Sequence, residues 1–157
     1  MVNLNRKGPT MRLAFLVLAV AATTAVAAQG KEVLAVPGAV AGLPFSPVIR
    51  AGNMLYLSGQ IGNRIGTREL VAGGIGAETR QALENIRTVL EAAGSSLDRV
   101  VKCTVFLADI KDYGAMNEVY ASFFPKDPPA RSAIAGSGLA LGARVEIECL
   151  ALAGTGP

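Results

Sequence analysis

Three residues stand out for what their side chains could do: Arg131, Glu146 and Glu148. Arg131 follows Pro128-Pro129-Ala130 and opens a short apolar run, where an arginine is ordinarily a solvated strand end. Its planar fork could instead hold a small carboxylate through two parallel hydrogen bonds, which a lysine cannot reproduce. Glu146 and Glu148 alternate with Val145, Ile147 and Cys149, the pattern of a half-buried strand. Both fall on the same side of such a strand, and the ordinary reading of each is an outward-facing, solubilising charge. Ser58-Gly59 closes another strand-like run. A glycine there admits close backbone approach, although a strand-ending turn explains the pair equally well.

Cys103 and Cys149 are far apart, and each lies in an alternating apolar run. Such cysteines read as buried hydrophobes before they read as a disulfide or a nucleophile. An oxidising compartment would permit a disulfide, but sequence alone does not say whether the two sulfurs meet. With no His and no closely spaced Cys pair, the chain offers no ligand spacing for a transition metal.

The elements that must position these residues form one domain. A chain of 157 residues has room for a single proper core. At 51% apolar and 17% charged it is far from the composition of disordered chains. The net charge of +3 comes from the opening segment, where Arg6, Lys7 and Arg12 precede the first acid, Glu32. Taking those three from the 15 basic residues leaves 12 against 12 acidic ones. A body so balanced, with no basic stripe, lacks the footprint of a nucleic-acid binder.

The opening segment itself reads as a secretory signal. The basic stretch leads into an uncharged apolar run from Leu13, and small residues follow to Ala25-Val26-Ala27, an A-x-A cleavage pattern. The run from Leu13 to Ala28 is 16 residues long, shorter than the roughly 20 strongly apolar residues that a spanning helix needs. The expectation is a signal peptide over residues 1–28, a single domain over 29–157, and a periplasmic or secreted product with no membrane attachment after cleavage.

Beyond residue 28 strand and helix periods alternate. Lys31 to Val36 is a short apolar run ended by Pro37-Gly38, and Val48 to Arg50 and Met54 to Ser58 flank Gly52-Asn53, a hairpin signal. Glu69 to Gly76 reads as turn, broken by Gly73-Gly74 and Gly76. From Ala77, residues Thr79, Ala82, Leu83, Ile86, Leu90 and Ala93 recur at helical spacing, with Gly94 as the stop. Lys102 to Leu107, Ser132 to Ala135 and Val145 to Leu152 read as strands. Asp112 to Phe124 reads as a helix that Pro125 ends, with Asn117 on it as an ordinary surface polar residue. This order predicts an α+β layer, one sheet with two helices on a single face. Several strands carry apolar residues at successive positions, so the second face also needs cover, most simply by oligomerisation.

In order and spacing, one set of motifs resembles the RidA (YjgF) family of imine deaminases. The set comprises Pro44-Phe45-Ser46-Pro47, Gly52-Asn53, Leu57-Ser58-Gly59-Gln60, Thr79 to Ile86, Val105-Phe106-Leu107, Asn117, Pro129-Ala130-Arg131-Ser132 and Val145-Glu146-Ile147-Glu148. The resemblance runs from about Pro44 to Ala153. It implies a chorismate-mutase-like fold, a homotrimer with sites in the clefts between subunits, and hydrolysis of 2-imino acids such as 2-iminobutanoate and 2-iminopropanoate to 2-keto acids and ammonia without a cofactor. It assigns Arg131 to the substrate carboxylate and Glu146 to the attacking water, and it lines the pocket with Ser58, Gly59 and Asn117. Two positions depart from the family's founding type. Phe45 stands where that type has a tyrosine, which removes a hydroxyl. Ala133 stands where it has a cysteine thought to act through its backbone carbonyl, a group alanine keeps. The competing reading is a non-catalytic trimer that binds a small carboxylate. Glu146 argues against it, because a carboxylate beside a bound carboxylate is repulsive.

Overall fold

The computed structural model describes residues 30–154; the segment expected to be a signal peptide, 1–28, lies outside them. The Gly52-Asn53 turn joins β2 (Val48–Ala51) to β3 (Met54–Leu57) as the spacing predicts. Gly52 takes φ 61°, a left-handed value that only glycine adopts freely. β3 lies antiparallel to β7 (Val145–Leu152), which lies antiparallel to β5 (Val100–Leu107). β5 pairs in parallel with β6 (Ala130–Ala135), the last strand on that side. On the other side β1 (Lys31–Val33) adds to β2. A two-residue strand, β4 (Gln60–Ile61), continues past β3 to pair with β7 at Ile147 and Glu146.

The parallel relations demand crossovers, and two helices provide them. α1 (Gly74–Ala92) follows β4, and α2 (Tyr113–Phe123) joins β5 to β6. The helical residues expected to be buried, from Thr79 to Ala93, are buried. They pack with Met116 and Tyr120 of α2 against Cys103, Val105 and Leu107 of β5 and Val145, Ile147 and Cys149 of β7. The start of α1 differs from expectation. The helix begins at Gly74 rather than Ala77 and takes in Gly76, which lies against Val119 of α2. Tertiary packing of two helices overrides the poor helix propensity of glycine there.

The strands alternate as the sequence predicts. Their inward residues meet the helices, and the other face carries Phe106, Leu150 and Leu152, half-buried, with Tyr56 and Ile134 exposed. That second face mixes these apolar residues with Lys102, Thr104, Glu146 and Glu148 and, among the described residues, has no helix over it.

The cysteines correct the sequence reading. Cys103 and Cys149 form a disulfide rather than two separate buried thiols. They are direct partners in the β5–β7 register, with Cα atoms 4.1 Å apart, close to the spacing of about 4.5 Å at a non-hydrogen-bonded antiparallel pair. Strand register, which joins residues 46 apart in sequence, brings the sulfurs together.

Candidate functional site

Glu146 is placed by a chain of polar contacts. The β7 strand is anchored just before it, at Arg144, whose backbone N–H donates to Glu78 Oε2 at 2.8 Å. The Arg144 guanidinium grips Asp112 with two bonds of 3.0 and 2.7 Å. Glu78 and Asp112 are themselves buried, on α1 and at the start of α2, so both helices fix the beginning of β7. Beyond that anchor the Glu146 carboxylate rests on Gly59. A Cβ at that position would collide with Glu146 Oε1, which gives the glycine a physical reason. No hydrogen bond or ion pair engages the Glu146 carboxylate among the described residues. Burial, and then the negative charge of Glu148, push its pKa above the ordinary carboxylate value.

Glu146 forms part of the wall of a cavity of about 470 Å³. Gly59, Phe45, residues 36–40 and Leu43 share that wall. Phe45 is 55% exposed at the cavity. Ser58 is not in the lining. Its hydroxyl donates to Ser46 O at 2.7 Å and its N–H to Pro47 O at 3.0 Å, so it ties the Phe45 loop to the end of β3.

Arg131 occupies a different place. It pairs with Cys103 in the β5–β6 register, whereas Glu146 pairs with Phe106 in β5–β7. Cys103 and Phe106 differ by an odd number of residues and so face opposite sides of β5. Arg131 therefore faces the helices, and Glu146 faces the uncovered side. Two strands across and three residues along put their Cα atoms roughly 14 Å apart.

On its own side Arg131 is clamped by α2. Its guanidinium lies 4.6 Å from the Tyr120 ring centroid and 5.6 Å from that of Tyr113, and Nη2 donates to the Tyr113 hydroxyl at 3.0 Å. Such cation–π contacts contribute about 0.5–2 kcal/mol each. No carboxylate forms an ion pair with Arg131 among the described residues. Tyr120 is buried, which pushes its pKa up to about 12 against the opposing pull of the Arg131 charge. Tyr113, Asn117 and Tyr120 are spaced i, i+4, i+7 along one face of α2, so Asn117 lies on the stripe that holds Arg131. Ala133 faces the same way, packed against the core. The sequence-predicted residues thus fall into two groups. Glu146, Gly59 and Phe45 stand at the cavity, with Ser58 beside it, while Arg131, Asn117 and Ala133 stand on the other face.

Residues 37–153 match a protein family described as Endoribonuclease L-PSP. The chain belongs to this family, the RidA/YjgF family. A RutC family protein of Pyrococcus horikoshii is 49% identical over 108 residues, covering 69% of this chain and 86% of the relative. Human 2-iminobutanoate/2-iminopropanoate deaminase is 42% identical over 118 residues, covering 75% and 85%. The crystal structure of RidA from an Antarctic Psychrobacter superposes with a TM-score of 0.72 at 37% identity, covering 77% of this chain and 98% of that one.

For this RidA/YjgF chain, sequence reasoning missed the two tyrosines that hold Arg131. Their helical spacing was visible, but an aromatic at that spacing reads equally well as core. Only the register of β6 against α2 shows that they meet an arginine.

Proposed function

We propose that the chain is a hydrolase of small 2-imino acids, of the 2-iminobutanoate/2-iminopropanoate deaminase type, working as a homotrimer in which two subunits complete each site. The observation that carries this reading is the opposite facing of Arg131 and Glu146. Neither engages a counter-ion among the described residues, and one small ligand cannot reach both in a single subunit. A second copy laid on the uncovered face would let the partner subunit's Arg131 hold the substrate carboxylate while Glu146 meets the imine carbon. Stable homomeric contacts bury upward of about 1,600 Å², and the exposed Tyr56 and Ile134 belong to the kind of surface that provides it.

The chemistry follows from those two groups. A protonated imine is already electrophilic at C2. Glu146 accepts a proton from water as its oxygen bonds to C2, which forms a carbinolamine. Proton transfer to nitrogen then lets the C–N bond break, so ammonia leaves and the 2-keto acid remains. Water supplies the oxygen and no electrons pass to an external acceptor, so positioning and acid–base groups suffice. The raised pKa of Glu146 makes its carboxylate a stronger base than an ordinary one, which suits proton uptake from water. The family description also raises RNA cleavage, but four of the eight described arginines are committed within the fold rather than free to track phosphates. Arg50, Arg87, Arg99 and Arg144 are bonded to Glu32, Glu84, the Leu152 and Ala153 carbonyls, and Asp112.

The test generates 2-imino acids with an amino-acid oxidase and follows ammonia release with and without the protein. Acceleration supports the reading. No acceleration across several side chains moves it to a carboxylate-binding trimer. Export through a cleaved signal peptide is proposed alongside, supported by the tripartite opening sequence and by the Cys103–Cys149 disulfide, which an oxidising compartment maintains. Intact mass from the native host should show loss of the first 27 or 28 residues together with two cysteine hydrogens.

A further inference from the structure

The cavity beside Glu146 is larger and more apolar than a methyl or ethyl side chain requires. We propose that it is a side-chain subsite for bulky apolar groups, so that this chain favours 2-imino acids with branched, thioether or aromatic side chains over 2-iminopropanoate. The proposal rests on the imine-hydrolase reading and adds the substrate class.

Geometry supplies the direction. With the carboxylate held by the partner subunit's Arg131 and C2 at Glu146, the remaining substituent must point along the wall that Glu146 shares. That wall encloses about 470 Å³. A methyl group displaces about the volume of one water, roughly 30 Å³, and would leave the rest of the space filled by water against apolar walls. Cavities of roughly 300–1,000 Å³ ordinarily take ligands of drug size.

Chemistry supplies the class. Val36, Val40, Leu43, Phe45, Ile65 and Leu141 make the apolar part of the lining. Most of the polar side chains among them are already committed to the fold. Asn85 donates to the carbonyls of Ile61 and Asn63 and accepts from Gln81. Asn63 donates to Thr67 O, Thr88 to Glu84 O and Gln60 to Ser58 O. Their donors are therefore turned away from a ligand. Apart from Glu146 itself, Arg68 is the charged side chain of the lining, and most of the remaining wall is carbon. Leu141 adds an independent sign. It is a non-glycine residue at φ 58°, a region that L side chains rarely adopt, yet the backbone holds it there with its side chain in the cavity lining. Phe45 completes the trend by presenting an aromatic ring with no hydroxyl.

Imino acids generated in place from alanine, 2-aminobutyrate, leucine, methionine and phenylalanine test the proposal. Burial of each further CH2 should raise kcat/KM about fourfold, the equivalent of ~0.8 kcal/mol, so the leucine, methionine and phenylalanine products should exceed the alanine product by at least roughly tenfold. Val40→Trp should fill the cavity and lower the phenylalanine-to-alanine ratio of kcat/KM by about tenfold or more. Leu141→Gly relieves the left-handed backbone while removing apolar wall, and should lower the same ratio in a chain that folds more easily. Hydrolysis of the two smallest imino acids with a flat or falling series overturns the subsite and leaves the deaminase reading standing. A ratio unmoved by both variants also overturns it. No hydrolysis of any imino acid overturns the deaminase reading and the subsite with it.

Discussion

The two halves of the site are built in different ways. Arg131 stands on a strand and is stacked by two rings of a helix, with one guanidinium nitrogen bonded to a tyrosine hydroxyl. Glu146 stands on a strand anchored by Arg144 but looks into a cavity made largely of loops, with no bonding partner among the described residues and a pKa raised by burial. One half is a charge held ready by its surroundings, and the other is a charge its surroundings disfavour. A binding group gains from being fixed, since less freedom is lost when the ligand arrives. A base gains from an environment that makes it want a proton. The difference in construction thus matches a difference in task.

Glu146→Gln should break the comparison most severely. It keeps the shape and removes the base, so kcat should fall about 10²-fold or more with little change in KM. The same substitution should stabilise the fold. A carboxyl whose folded pKa is raised binds its proton more tightly in the folded state, so its contribution is present at low pH and is lost as pH rises through the folded value. At neutral pH the ionised Glu146 therefore costs stability, and the neutral amide removes that cost. Thermal unfolding at pH 7 should show a higher Tm for the variant. A Tm that falls would mean Glu146 is a structural charge.

Arg131→Ala comes next. Removing one member of a charge-assisted contact costs about 2–5 kcal/mol, at least roughly thirtyfold in kcat/KM. Arg131→Lys should recover only part of it, because one ammonium does not reproduce two parallel bonds. A smaller effect is expected at Tyr113→Phe, which keeps the ring and loses the hydroxyl that receives Arg131. KM should rise about fivefold, near 1 kcal/mol, with kcat unchanged. A surface hydroxyl would move neither by more than about twofold. The smallest change is Glu148→Gln. It removes the like charge beside Glu146, so the acid limb of the kcat/KM profile should shift to lower pH, while the wild-type limb lies above the ordinary carboxylate range. An unmoved limb would separate Glu146 from the titration.

The fold was largely legible because its signals are local. The Gly52-Asn53 turn, the alternation from Val145 to Leu152 and the Pro125 stop each act within a few residues, and each appears where expected. The start of α1 was not, because Gly73, Gly74 and Gly76 read as breakers until Val119 of α2 is brought against Gly76. β4 is too short to show a period. The disulfide and the opposed facing of Arg131 and Glu146 both depend on register between strands distant in sequence. Alternation within one strand fixes parity but says nothing of which face a second strand shares.

The shared site is tested most directly by mixing two inactive proteins. Arg131→Ala and Glu146→Gln chains, unfolded together in equal amounts and refolded, should assemble at random into rings. A site that takes its arginine from one subunit and its glutamate from the next is then intact at about one quarter of the interfaces, so imino-acid hydrolysis should return to about 25% of the wild-type rate. Mixed rings confirmed by native mass spectrometry, with activity no higher than the two parents separately, would contradict a site built between subunits.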